Sequence, residues 1–119
     1  MSWTEHHQKS ERFAADAEAA VLNGHPNQAH DAYRRAAQEE ERAVADLSPK
    51  KVRTLGISAV SVVSLYYKAG LPDAAQKAAQ KYLNLDELPD FAREQLVQIL
   101  GSTTLAAARA AAVGARAKR

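Results

Sequence analysis

The sequence predicts an all-α protein built of antiparallel helical hairpins, five to six helices in all. Three observations carry that reading. Apolar residues recur at three- and four-residue intervals. Ala, Glu, Gln, Lys and Arg dominate a chain of 119 residues in which Gly and Pro total nine, a composition that favours helix over sheet. The Gly-x-Pro pairs Gly24/Pro26 and Gly70/Pro72 fall where one helix would stop and the next begin. The length suffices to bury a core without staples, and the absence of cysteine excludes disulfides and thiolate metal sites. No run of 18 apolar residues occurs, and the opening MSWTEHHQKSER is too polar for a signal peptide. The expectation is a soluble, cytoplasmic, bacterial protein with no membrane contact.

Residues 4–22 read as the first helix, with Phe13, Ala17, Ala20 and Val21 on one stripe and Thr4 or Ser10 as its cap. Gly24 ends it, and Pro26 suits a first helical position, where a missing N–H costs nothing. The second helix runs to about Leu47 on Ala29, Ala32, Tyr33, Ala36, Ala43, Val44 and Leu47, with Glu39, Glu40 and Glu41 expected to face water. Ser48-Pro49 then opens a third helix to about Ala69. From Leu55 onward it is apolar nearly all round, so it is expected to be buried. The run Val60 to Val63 could also read as strand, but its length and lack of alternation favour helix. Gly70-Leu71-Pro72-Asp73 turns the chain into a fourth helix ending near Leu83, whose Ala-rich face lets it approach the third closely. Pro89-Asp90 opens a fifth on Phe91, Leu96, Ile99 and Leu100, closed at Gly101. Residues 1–101 form one domain, and 102–119, with eight Ala, are a sixth helix or a tail.

The chain also repeats itself. Aligning Gly24 with Gly70 superposes Pro26 on Pro72, Ala29 on Ala75, Ala32 on Ala78 and Ala36 on Tyr82. Together with Phe13, Ala17 and Ala29-x3-Tyr33 in the first unit and Tyr66 in the second, this pattern resembles the tetratricopeptide repeat family over about residues 10–100. Three features depart from it. The second unit has Ala79 where the family has an aromatic, Glu41 stands where its closing Pro would be, and the spacing of 46 residues exceeds the family's 34 by roughly one and a half turns in each of helices two and three. The resemblance implies stacked hairpins, with the first helix of each unit lining a concave groove and helix five as a cap. By the same resemblance the groove would be lined by Glu11, Ala14, Glu18 and Val21 from helix one and Ile57, Val60, Ser64, Tyr67 and Lys68 from helix three. Lys and Asn, which clamp C-terminal carboxylates in some members, are absent from the matching points, so an apolar helix, a peptide or an identical subunit is the expected ligand. Helix five covering this face instead is the alternative.

Other chemistries find little support. His6 and His7 are adjacent and expected on different sides of a helix, and His25 and His30 lie about 27 Å down the hairpin at ~1.5 Å per residue. No metal is expected. No nucleophile stands beside a base and no phosphate loop occurs, so neither catalytic residues nor a cofactor is expected. Charge divides along the chain. Up to Glu94 there are twelve Lys and Arg against fourteen Asp and Glu, whereas the four charges after it, Arg109, Arg116, Lys118 and Arg119, are all positive. A nucleic-acid-associated regulator using Lys50, Lys51, Arg53, Arg116, Lys118 and Arg119 is therefore the second functional expectation, opposed by the acidic body and the lack of interleaved aromatics.

Overall fold

The computed structural model describes residues 2–101. They form five helices and no strand: α1 (Trp3–Leu22), α2 (Pro26–Ala45), α3 (Val52–Lys68), α4 (Pro72–Leu83) and α5 over 90–101. The expected segment 102–119 lies outside the described residues.

The two repeated turns share one hydrogen-bond design. Gly24 and Gly70 adopt φ of 75° and 73°, a left-handed conformation that glycine enters without a side-chain clash. Gly24 N–H donates to Val21 C=O and His25 N–H to Ala20 C=O; Gly70 N–H donates to Tyr67 C=O and Leu71 N–H to Tyr66 C=O. These paired bonds satisfy the last carbonyls of α1 and α3. Pro26 and Pro72 then occupy the first position of α2 and α4. Internal similarity in sequence thus becomes identity of turn geometry.

Helix boundaries differ from expectation at two places. α1 starts at Trp3, capped by Ser2, whose hydroxyl accepts from Glu5 N–H. Ser10 is buried and donates to Ala36 C=O instead. α3 starts at Val52, not Pro49, because Ser48 to Lys51 close a turn in which Lys51 N–H donates to Ser48 C=O. Lys50 and Lys51 would sit against the positive end of the helix dipole if the helix began earlier.

Contacts ascend together along α1 and α3. Trp3 Nε1 donates to Ser58 Oγ at 3.0 Å, the middle of α1 borders Val60 to Lys68, and Ala17 packs with Ala69. α5 follows the same direction, its start lying against Gly56 and its later turns beside Ser64, Tyr67 and Lys68. So α1, α3 and α5 form one layer of parallel helices, and α2 and α4 return antiparallel behind them. The main core gathers Ala59, Val62 and Val63 of α3, Ala75, Ala78, Ala79 and Tyr82 of α4, Leu88, and Ala92 and Leu96 of α5. Alanine at most α4 positions lets its axis lie close to α3. α3 is not buried on every side. Ile57 and Tyr67 remain 47% and 41% exposed, because one face of the parallel layer has no second layer over it.

Candidate functional site

The open face of the parallel layer carries two grooves, one on each flank of α3. Between α1 and α3 lies a cavity of about 280 Å³ lined by His7, Ser10, Glu11, Ala14, Glu40, Val60, Ser61, Ser64, Leu65 and Lys68. Between α3 and α5 a second, of about 350 Å³, is bordered by Ser64, Tyr67, Lys68, Gln98 and Ile99. α5 therefore lies on the far flank of α3 and leaves the first groove uncovered. Ser64 and Lys68 form the ridge between the two.

Of the residues expected in the groove, Glu11, Val60, Ser64 and Lys68 come together in the first cavity and Tyr67 joins the second. Ile57 is exposed on the same helix. Glu18 and Val21 are also exposed, but on later turns of α1, outside either cavity. Lys68 holds its ammonium 5.8 Å from the Tyr33 ring centroid, a cation–π contact across the inner layer. Among the residues of the alternative basic surface, Lys50, Lys51 and Arg53 are exposed at the entrance to α3, and Arg116, Lys118 and Arg119 lie outside the described residues.

The acidic run of α2 does not face water. Glu39 and Glu40 are buried, Glu40 to 1% exposure, and Glu41 is half-buried, accepting from the Tyr66 hydroxyl. Their partners come from the start of α1. His6 Nδ1 lies 2.7 Å from Glu39 Oε2 and its Nε2 3.4 Å from Asp46 Oδ2. His7 Nδ1 lies 2.9 Å from Glu40 Oε1 and its Nε2 2.9 Å from Glu11 Oε1. Trp3 stacks on His7 with ring centroids 4.6 Å apart. The two histidines thus reach the same helix, contrary to the divergence expected of adjacent residues, because their side chains splay to either side of the α1–α2 seam. Burial works against the charge of Glu39, but the His6 hydrogen bond and Arg42 outweigh it and hold the carboxyl below the usual range. Tyr66 and Tyr82 are both pushed up, chiefly by burial and then by the Glu41 carboxylate.

A third surface pocket, formed by Phe13, Arg34, Arg35, Gln38, Glu39 and Arg42, has no counterpart among the expected sites. Its guanidiniums are engaged: Arg34 and Arg35 on Asp31, and Arg42 on Glu39. Among the described residues no three His, Asp or Glu side chains converge as metal ligands, and no helix is long and apolar enough to cross a membrane. Comparison of the chain with protein-family models, curated proteins and solved structures finds no match in any of the three.

Proposed function

We propose that the protein is a non-catalytic interaction module of the cytoplasm, a tetratricopeptide-repeat-like scaffold or adaptor. It takes a partner helix, a peptide or a second copy of itself along the open face of α1 and α3. The observation that supports this reading is the uncovered face of the parallel layer, where the exposed side chains of Ile57 and Tyr67 flank the cavity lined by Glu11, Val60, Ser64 and Lys68. Apolar groups of that size on a ridge between two grooves gain free energy when covered. The flanking Glu11 and Lys68 give polar points that orient a ligand without holding it alone.

The test is the full chain beside a variant carrying Ile57→Asp and Tyr67→Asp. Sedimentation measures self-association, and capture from lysate followed by reconstitution with the purified captured protein measures partner binding. The proposal expects one of the two interactions to be present in the parent and lost in the variant, with helical circular dichroism unchanged. A parent that is monomeric throughout and captures the same proteins as the variant refutes it.

A further inference from the structure

We propose that His6 and His7, each held between two carboxylates, form a proton-dependent clasp that seats the start of α1 on α2. It stands on the geometry of that seam and is independent of what the groove binds. Both nitrogens of each imidazole face a carboxylate oxygen: Glu39 and Asp46 for His6, Glu40 and Glu11 for His7. A neutral imidazole has one N–H and one lone pair, so it satisfies one of its two neighbours and turns a lone pair to the other. Only the imidazolium donates to both.

Two further observations agree with a charged ring. Glu40 is almost wholly buried, and a buried carboxylate requires a cation or several donors; the hydrogen-bond donor it has is His7. The His7 ring also lies flat on Trp3, 10° from parallel, an arrangement that favours a cation over a π face. The full electrostatic surroundings are mixed. α1 contributes Glu11, α2 contributes Glu39, Glu40 and Asp46 together with Arg42 paired to Glu39, and α3 contributes Lys68 at the far end of the same groove. Ser58 touches the seam through Trp3 alone. Acids outnumber the bases around the two rings.

The direction with pH follows. Below about pH 6.5, where histidine ordinarily carries its second proton, folded and unfolded chains are both protonated and the clasp is at full strength. Above it the unfolded chain gives the proton up, whereas the folded chain must keep it or lose one hydrogen bond per ring, so stability falls as pH rises. Because His7, Glu11 and Glu40 also line the α1–α3 groove, release of the clasp would alter one wall of it.

The experiment follows thermal unfolding of the full chain from about pH 5.5 to about pH 8.5, with imidazole nitrogen resonances of His6 and His7 recorded alongside. The expected fall in Tm over this range is roughly 5 °C, the shift that loss of one charge-assisted hydrogen bond brings in a domain of this size. His25→Gln with His30→Gln is expected to keep that slope, since neither ring belongs to the clasp. Glu11→Gln with Asp46→Asn is expected to flatten it, because a carboxamide can donate to a bare ring nitrogen. Both of these positions are well exposed, so the variant should fold even where a histidine variant does not. A parent whose Tm is flat over the range, or a Glu11→Gln/Asp46→Asn variant with the parent's slope, overturns the proposal.

Discussion

Gly56→Ala offers a direct test of how α5 sits on α3. A Cβ at Gly56 would lie 2.6 Å from Pro89 Cγ, 2.9 Å from Phe91 Cζ and 3.1 Å from Ala92 Cβ, where carbon atoms normally rest about 3.5 to 4.0 Å apart. Phe91 can turn away, being 39% exposed. The Pro89 ring is rigid and Ala92 has no rotamer to change, so the first turn of α5 must shift outward. Overpacking of this kind costs about 1–3 kcal/mol, and replacing glycine inside a helix returns about 1 kcal/mol. The expected net loss is about 1 kcal/mol, or roughly 4–8 °C in Tm. Denaturant unfolding of Gly56→Ala, Pro89→Ala and the double variant separates the two effects. Removing the proline ring eliminates the worst contact, so the second substitution should cost less in the Gly56→Ala background than in the parent. A Gly56→Ala protein stabilised by about 1 kcal/mol, as helix propensity alone would give, would show that α5 does not press on α3 at this point.

Three further outcomes are expected. The Tyr82 hydroxyl is buried with no hydrogen-bond partner, so Tyr82→Phe should leave stability unchanged or raise it by about 1 kcal/mol; a clear loss in denaturant titration would mean that the hydroxyl bonds to something. Glu39, held below its ordinary range, contributes stability that is present above about pH 4.5 and is lost as pH falls through its folded-state value. Glu39→Gln should therefore shallow the acid limb of a Tm-against-pH curve, and an unchanged limb would contradict the assignment. Gly24→Ala and Gly70→Ala both force a left-handed residue and should each cost about 1–2 kcal/mol. Gly70→Ala should cost more, because its Cβ meets the His30 ring at 3.3 Å while Gly24 has open space; the reverse order in calorimetry would refute that.

The features readable from sequence are those set by local chemistry. Gly-x-Pro at 24–26 and 70–72 dictates a left-handed glycine followed by a proline at a helix start, and both turns have that form. The Ala stripe of α4 requires a close neighbour and finds α3. Where several groups compete, single-helix patterning fails. It assigns Glu39 and Glu40 to water because charged residues on an isolated helix belong there, and it splits His6 from His7 by the same one-helix logic. The signal it lacks is the register of the hairpin. Folding about Gly24 places residues opposite each other when their numbers sum to about 46, as in Ser10 with Ala36, His6 with Glu39 and His7 with Glu40. Applied to the charged residues, that rule sets the two histidines against the two acids.

The position of this polar seam has a physical consequence for the hairpin. The α1–α2 contact is otherwise held largely by alanines, with Ala17, Ala20, Ala29, Ala36, Ala37 and Ala43 all buried. Each buries little area, and their uniform shape does little to oppose a slip of one helix along the other by a turn. A buried ion pair adds modestly to stability but strongly penalises any register in which a charge is left alone. Glu39, Glu40 and Asp46 fall in the distal part of α2, opposite the first turns of α1, within the stretch that exceeds the length of a 34-residue hairpin. There the extra turns carry paired charges in place of further alanines. Slipping α1 by four residues would carry both histidines about 6 Å along the axis at ~1.5 Å per residue and strand Glu40 in the seam. The added length therefore fixes which residues of α1 face α3, and with them the lining of the groove.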